Sequence, residues 1–381
     1  MSFFIHTKYN TPAAIKWLVA VLHKIKYKVV RPLISYLAYL TGKNELAGDQ
    51  KSFSGEKLKK GISVYIPCKD EETHLKMCLE SLLGIADQFI LIDNGSTDAT
   101  LEIMKDFQAI HRQTEIEVHS KPGMLLVDMV QFALSRVKYS WVLKWDGDML
   151  AINEEKQFTD LKRRCLEAKR PAAYTLPRIN LTGDYHHVSS WTEVVDAGEP
   201  FLRTFSNKFL FTEEYGRMEH AVIPLHYRLK LRKEYYSFHF SNLRPPARIM
   251  YRHCYLDWRE TVNTGTDAAR SKYNDFGVFR NAWFLHNFGS TDERTLKFRS
   301  GRLIASMCRK FDVSKYCGLP EILQSEKKPR FEVLYKAGKP YLMMDNDDPD
   351  MTAYIPSAED ERWIADYNEF FNDDKRLAFT K

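Results

Sequence analysis

Residues 139–149 read YSWVLKWDGDM, an apolar run that ends in two aspartates one residue apart. The apolar part has the length of a buried strand, and Asp146 and Asp148 follow directly on its end. Carboxylate oxygens in this position suit a hard divalent cation such as Mg²⁺. An Asp-x-Asp pair is more often a solvated turn than a metal site, so the preceding segments must decide between the two interpretations.

Those preceding segments alternate between strand and helix patterns. Strands are predicted at 62–66, 89–92, 116–118 and 141–143, and helices at 75–83, 101–107 and 125–137. Ser96 or Asp98 could cap the second of these helices. This alternation predicts an α/β fold with a mostly parallel sheet and helices on both faces. Ligands of such sheets bind beyond the carboxyl ends of the strands.

Polar motifs follow three of the four predicted strands. They are Pro67-Cys68-Lys69-Asp70-Glu71-Glu72, Asp93-Asn94-Gly95-Ser96-Thr97-Asp98 and Asp146-Gly147-Asp148. In order and spacing they resemble the motifs of the family 2 glycosyltransferases, which have a Rossmann-like GT-A fold. The resemblance covers residues 61–150 well and fades beyond about residue 245.

The resemblance implies a metal-dependent, inverting transferase that moves a sugar from a nucleotide-sugar donor, expected to be UDP-linked, onto a saccharide hydroxyl. It implies that Pro67, Lys69 and Glu71 line the nucleoside, and that Asp93 accepts a hydrogen bond from the base. Each also has a structural interpretation: Asp93 fits an Asx-turn before Gly95, and Glu71 fits an acid in the first turn of a helix.

The same resemblance supplies a metal site. Asp146 is expected to face the ribose and the metal, and Asp148 to bind Mn²⁺ or Mg²⁺ directly. His239 lies where relatives often carry a histidine and could complete the metal shell, although a histidine between Phe238 and Phe240 also fits a packed core. A second Asp-x-Asp, at residues 345–347, follows no βα units and is predicted to be a solvated acidic turn.

The chain departs from the family at one donor-site position. Relatives often place an Arg-Asn pair on the helix before the Asp-x-Asp strand, where this chain has Val127 and Asp128. Lys121 or Lys144 could supply the missing positive charge, and Lys121 is our expected donor-binding residue. Because Pro-Gly follows it, Lys121 could equally belong to a turn.

An inverting transferase also needs a general base for the acceptor hydroxyl. The family places it some seventy to a hundred residues after the Asp-x-Asp, a window that contains Glu213, Glu214, Glu219 and Glu234. The stretch 215–220 partly resembles an element of bacterial lipopolysaccharide-core transferases. Glu219 is therefore the expected base, with Glu214 as the alternative; a surface carboxylate is the structural interpretation for each.

The first sixty residues carry an excess of positive charge. They contain eleven Lys or Arg against three Asp or Glu, whereas the whole chain has a net charge of +6. Apolar residues recur at helical spacing over 11–42, with no uncharged stretch long enough to span a bilayer. The pattern predicts an amphipathic helix lying in a membrane surface; packing on the body or on a second subunit is the alternative. Residues 43–60 are predicted to be a linker.

The predicted organisation has three parts. Residues 1–60 form the basic extension, 61–260 a catalytic domain (61–150 for the nucleotide, 151–260 for the acceptor), and 261–381 a mainly helical region. None of the six cysteines forms a C-x-x-C pair, which argues against zinc. The expected location is the cytoplasm, on the inner face of the membrane, beside a glycolipid acceptor of surface-glycan synthesis.

Two other classes of protein share parts of this pattern. A nucleotidyltransferase would ordinarily carry a Gly-rich loop with Arg and Lys after the first strand, where this chain has residues 67–72. A catalytically silent sugar- or membrane-binding protein of the same fold is harder to separate, since it could keep all three motifs. No nucleic-acid partner is expected, and the sequence leaves the oligomeric state open.

Overall fold

A computed structural model describes residues 29–30, 33–34, 36–37, 51–190, 195–196, 202–206, 210–214, 218–324, 329–348, 350–351 and 354–372. The strands are β1 (Lys59–Cys68), β2 (Gln88–Asp93), β3 (Glu115–Ser120), β4 (Tyr139–Lys144), β5 (Met149–Ala151), β6 (Ala172–Thr175), β7 (Arg178–Thr182), β8 (Asp184–Ser189), β9 (Val195–Asp196), β10 (Leu202–Thr204), β11 (Leu210–Glu214), β12 (Met218–Val222), β13 (Arg228–Leu231), β14 (Ser237–Asn242), β15 (Cys308–Lys310), β16 (Phe331–Lys336) and β17 (Lys339–Asp345). The helices are α1 (Leu75–Ser81), α2 (Thr100–Ile110), α3 (Leu126–Ser135), α4 (Gln157–Leu166), α5 (Pro246–Thr264), α6 (Asp267–Lys272), α7 (Phe276–Phe288), α8 (Glu293–Met307), α9 (Glu321–Gln324) and α10 (Ala358–Asn372). The helix predicted over 11–42 lies almost entirely outside the described residues.

The central sheet has the strand order β13-β6-β10-β4-β1-β2-β3. Its strands β4, β1, β2 and β3 run parallel, and β10 is antiparallel to both of its neighbours. Side chains of β1 alternate between two cores: Val64 and Ile66 pack with α1 on one face, and Tyr65 packs with α3 on the other. The predicted α/β fold with a mostly parallel sheet and helices is confirmed.

All seven elements predicted between residues 62 and 143 are present, with ends displaced by a few residues. Of the two residues considered as caps for α2, Asp98 accepts a hydrogen bond from the Thr100 amide at 3.0 Å. Ser96 instead accepts one from the Asp70 amide at 2.8 Å, which ties together the loops that follow β1 and β2.

A second sheet begins where β4 ends. Its strand order is β15-β8-β7-β14-β5, with β9 beside β7. Strand β5 follows the Asp pair directly and is antiparallel to β14, with Met149 opposite His239. The two aspartates therefore occupy the turn between the sheets. The register of β14 against β5 brings His239, far along the chain, beside them.

The region after residue 261 contains the predicted helices but also strands β15, β16 and β17, which the sequence pattern did not indicate. Side chains from α5, α7 and α8 form one core with the second sheet. Strands β16 and β17 form a hairpin that packs against α8. None of the helices in the described ranges is both long enough and apolar enough to cross a bilayer.

Candidate functional site

Three side chains meet at the turn between the two sheets. Asp146, Asp148 and His239 each offer a ligand atom within 4.8 Å of the other two. Asp148 is only 4% exposed, whereas Asp146 and His239 are partly accessible. Two carboxylates and an imidazole are a donor set that could hold Mn²⁺ or Mg²⁺.

His239 is oriented by a neighbouring strand. Its Nδ1 atom lies 3.0 Å from Oδ1 of Asn180, the residue opposite it on β7. Because an amide oxygen can only accept, Nδ1 donates this hydrogen bond, and Nε2 is the ring nitrogen left to face Asp148. Nε2 lies 3.4 Å from Oδ1 of Asp148. This is the arrangement in which a hydrogen bond fixes the tautomer of a metal-binding histidine.

Asp148 is a buried carboxylate with a histidine and two arginines beside it. Burial favours its neutral form, but His239, Arg244 and Arg252 hold its pKa well below the usual range. Its Oδ2 atom is 2.6 Å from Arg244 Nη2 and 4.0 Å from Arg252 Nη1. The two oxygens are thus divided, Oδ1 facing His239 and Oδ2 facing the arginines.

Arg244 also binds Glu71, which lies on the loop that follows β1. Its Nη2 atom is 2.8 Å from Glu71 Oε1 and 2.7 Å from Oε2. Burial and the charge of Asp148 raise the pKa of Glu71 to about 7, against the opposing effect of Arg244. One guanidinium therefore binds two carboxylates but can balance the charge of only one, and Glu71 takes up a proton near neutral pH.

Arg248, in the first turn of α5, holds the loop after β1. Its Nη2 atom donates to the carbonyl of Asp70 at 2.8 Å and lies 3.2 Å from the Asp70 carboxylate. Asp70 has a φ of 56°, a left-handed conformation that is uncommon for a residue other than glycine. Its Oδ1 atom accepts from the Thr97 amide at 2.7 Å. These bonds hold the first two strand-end loops as one surface.

Gly147 is required for space between the two aspartates. A Cβ atom at this position would lie 2.6 Å from Sγ of Cys68 and 3.3 Å from Cγ of Glu71. Burial raises the pKa of the Cys68 thiol well above its usual value, so the sulfur is a neutral packing group. The turn can therefore approach β1 closely only with a glycine at this position.

The donor-site residues predicted from sequence occupy different environments. Asp93 is buried and accepts from the amides of Gly95 at 3.1 Å and Ser96 at 3.0 Å, which makes it the turn residue considered above. Pro67 is partly buried in β1, and Lys69 is exposed on the loop that follows. The nucleoside-binding roles of Pro67, Lys69, Glu71 and Asp93 stay predictions.

The cations found beside the Asp pair are arginines that the sequence analysis missed. Lys121 lies over the ring of Phe132, 4.7 Å from its centroid. Asp146 has Arg178 at 3.8 Å, and Asp148 has Arg244 and Arg252. One local signal existed: Arg244 precedes the two prolines that open α5.

The candidate bases lie on a β-hairpin. Glu213 and Glu214 end β11, and Glu213 is opposite Glu219 of β12. Only the backbone of these strands belongs to the described part of the chain, so Glu219 and Glu214 stay predictions. Glu234 lies elsewhere and pairs with Arg232 at 2.6 Å.

The second Asp-x-Asp differs from the prediction of a solvated turn. Asp345 is buried at the end of β17, with its two carboxylate oxygens each 3.3 Å from a nitrogen of Arg330. Asp347 is exposed, as predicted. The prediction was wrong for Asp345 because the pairing of β16 with β17 places Arg330 against it.

Comparison with known proteins gives the family of the first part of the chain. Residues 63–156 match the model of Glycosyl transferase family 2. The chain is 36% identical over 89 residues to an uncharacterized glycosyltransferase of Rickettsia typhi, covering 23% of this chain and 28% of that protein. It is 31% identical over 87 residues to the lipopolysaccharide core biosynthesis glycosyltransferase LpsC of Rhizobium meliloti, covering 23% and 31%.

These matches are partial. The chain spans less than a third of the length of the two curated relatives. Among solved structures, it is similar to the mannosyltransferase PcManGT from Pyrobaculum calidifontis, at 12% identity over 71% of this chain and 81% of that chain, with a TM-score of 0.35. A likeness this weak does not bear on function. Residues 63–156, with the three strand-end motifs that they contain, belong to glycosyl transferase family 2, as those motifs indicated.

Proposed function

We propose that this chain is an inverting glycosyltransferase that moves a sugar from a nucleotide-sugar donor, UDP-linked, to a hydroxyl of a saccharide acceptor. The observation that carries the proposal is the cluster of Asp146, Asp148 and His239 at the carboxyl ends of parallel strands. This is where the ligands of such sheets bind. The cluster includes both aspartates of a segment that belongs to a glycosyltransferase family.

A divalent metal, Mn²⁺ or Mg²⁺, fits the donor set. Asp146, Asp148 and His239 would hold it, with the tautomer of His239 fixed by Asn180. Bound there, the metal would supply Lewis-acid stabilisation of the negative charge on the departing diphosphate.

The other roles belong to side chains of this chain. Arg244 orients Asp148 by binding its Oδ2 atom, which leaves Oδ1 on the side of His239. The carboxyl ends of β1 and β2 and the loops that follow them, with Pro67, Lys69, Glu71 and Asp93, would receive the nucleoside. Glu219, or Glu214 in its place, would take the proton of the acceptor hydroxyl as its oxygen attacks the anomeric carbon.

The acceptor in this proposal is lipid-linked, in the synthesis of lipopolysaccharide or another surface glycan. One relative is named as a lipopolysaccharide core biosynthesis glycosyltransferase. The basic residues 1–60 are consistent with attachment to an anionic membrane surface. Attachment through residues 11–42 would concentrate the protein on the cytoplasmic face of the membrane, where such an acceptor is exposed.

Donor binding and hydrolysis test the proposal. The chain should be stabilised thermally by UDP with Mn²⁺ and should hydrolyse a UDP-, GDP- or dTDP-sugar slowly without an acceptor. Asp148→Asn should abolish turnover and weaken Mn²⁺ binding measured by calorimetry. Asp347→Asn, in the second Asp-x-Asp, is the matched control and should change neither.

Two outcomes would count against the proposal. Absence of any nucleotide-sugar turnover with nucleotide binding intact would favour the catalytically silent protein. Unchanged turnover in Asp148→Asn would remove the metal assignment. Thermal melting of the variant, followed in the same samples, separates a lost ligand from a lost fold.

A further inference from the structure

Helix α5 carries arginines and tyrosines on one face that starts at the metal-ligand cluster. The face contains two pairs of residues four positions apart, Arg248 with Arg252 and Tyr251 with Tyr255. Residues three and four apart are neighbours on a helix surface. Arg252 reaches to 4.0 Å from Asp148, and Tyr255 lies about one turn, roughly 5 Å, beyond Tyr251. This face therefore leads away from the site of the proposed chemistry.

The two tyrosines are held rigidly but remain accessible. Tyr251 is 43% exposed and Tyr255 is 38% exposed. Each packs edge to face against Phe276 at the start of α7, with ring centroids 5.4 Å apart. Rigid, amphipathic tyrosine rings provide contact area at a low cost in conformational entropy. Their open sides are suited to the apolar faces of pyranose rings.

Two accessible arginines flank these rings. The Arg252 side chain is 53% exposed, and its 4.0 Å separation from Asp148 is longer than a hydrogen bond. Arg280 is exposed on α7, one turn after Phe276, and donates a long bond of 3.4 Å to Asn281. Arg280 lies close enough to Tyr251 to oppose the rise in the tyrosine pKa that burial causes. Both guanidinium groups are therefore accessible to an anion bound near the tyrosines.

We propose that Tyr251, Arg252, Tyr255 and Arg280 form the acceptor-binding surface, and that its occupant is a saccharide bearing phosphate or carboxylate groups. The inference rests on the proposed function, since it takes the acceptor to be a saccharide. A neutral sugar would use the tyrosines but would offer the two exposed guanidinium groups no charged partner. Phosphate and carboxylate match the planar fork of arginine and form charge-assisted hydrogen bonds with it.

Direct binding to the full-length protein tests this without donor or turnover. The probes are tetragalacturonic acid, which carries carboxylates, glucose 6-phosphate, which carries phosphate, and neutral maltotetraose, with Kd values from calorimetry. We expect at least one acidic probe to bind about tenfold more tightly than maltotetraose, because charged hydrogen bonds are worth about that factor. The acidic probe that binds distinguishes a carboxylate acceptor from a phosphorylated one.

Variants locate the surface. Arg252→Ala and Arg280→Ala should each weaken binding of the acidic probe about tenfold. Tyr255→Ala should weaken binding of acidic and neutral probes alike. Two matched controls should change neither affinity: Arg309→Ala, an exposed arginine of β15, and Tyr316→Ala, a tyrosine of similar exposure at 37%.

Three results would overturn the inference. They are equal affinity for acidic and neutral probes, unchanged affinity in the Arg252, Arg280 and Tyr255 variants, and tighter binding of a single-stranded DNA oligonucleotide than of either acidic probe. UDP affinity, measured in parallel, separates the two proposals. A wild-type protein that binds UDP but does not prefer acidic sugars contradicts this inference alone, whereas one that binds no nucleotide contradicts the proposed function.

Discussion

His74 is a buried histidine beneath the site. It lies between Phe240 and Phe331, with ring centroids at 5.0 and 6.4 Å. Burial lowers its pKa to about 3, and the positive charge of Arg244 acts in the same direction. An unfolded histidine titrates near pH 6.5. Between these values the unfolded chain binds a proton that the folded chain does not, so the free energy of unfolding must fall as the pH drops below about 6.5.

Replacing His74 with phenylalanine should remove this contribution. Wild type should lose up to about 1.4 kcal/mol of stability per pH unit below pH 6.5 relative to His74→Phe. Urea unfolding between pH 5 and 7.5 measures the difference. His111→Phe, at the residue that follows α2, is the matched histidine control. Parallel curves for wild type and His74→Phe would show that His74 is not buried in its neutral form.

A methyl group at position 147 should disturb the Asp-x-Asp turn. Gly147→Ala places Cβ 2.6 Å from Cys68 Sγ, and overpacking of this kind costs about 1–3 kcal/mol. Displacement of Asp146 and Asp148 should also weaken Mn²⁺ binding. Adding Cys68→Ala removes the sulfur and should restore part of both losses, measured as a double-mutant cycle. Full stability and full Mn²⁺ affinity in Gly147→Ala would contradict the close packing of this turn.

At the scale of elements, a buried carboxylate joins the hairpin β16–β17 to the second sheet. Asp184 Oδ1 is 2.5 Å from His187 Nδ1, and Oδ2 accepts from the Val333 amide at 3.0 Å. His187 Nε2 is in turn 2.5 Å from the hydroxyl of Tyr335. Burial acts to raise the pKa of Asp184, but the hydrogen bonds from His187 and from backbone amides hold it below its usual value. Both of these hydrogen bonds, from His187 and from the Val333 amide, depend on the ionised carboxylate.

Asp184→Asn should therefore destabilise the protein in a pH-dependent way. At pH 7 we expect a loss of about 1–3 kcal/mol, because the amide cannot accept every bond of the carboxylate. A carboxylate whose pKa is lowered by folding stabilises the protein above the pKa of the unfolded chain, near 3.9, and this stabilisation is lost below that pH. The difference from wild type should therefore shrink as the pH falls below about 4. Thermal melting from pH 7 to 3 measures this. A difference that is constant with pH would contradict an ionised Asp184, and the exposed Asp347→Asn should match wild type throughout.

At the scale of the whole molecule, the charge of the chain is concentrated at one end. Residues 1–42 contain six Lys or Arg and no Asp or Glu. Each basic residue near an anionic membrane surface contributes about 1 kcal/mol to binding. Deletion of residues 1–42 should therefore abolish co-sedimentation with vesicles containing anionic lipid. Wild type should also fail to bind neutral vesicles, and unchanged sedimentation of the deletion variant would refute the membrane role.

The predictability of the site varied from residue to residue. Asp146 and Asp148 could be placed from sequence because a short apolar run before a polar pair indicates a strand end locally. His239 could be associated with them only through resemblance to a family. Arg252 and Asn180 could not be placed at all, since helical or strand patterns alone do not say which distant element lies beside which.

Local sequence patterns were sufficient to predict the α/β alternation, the order of the strands along the chain and the position of three polar motifs at strand ends. These features follow from local apolar periodicity and turn chemistry, which act over a few residues. The sharing of Arg244 between Glu71 and Asp148, and the orientation of His239 by Asn180, follow instead from how the chain folds. Such contacts join residues far apart in sequence, and they depend on the register of β14 against β5 and β7 and on the packing of α5.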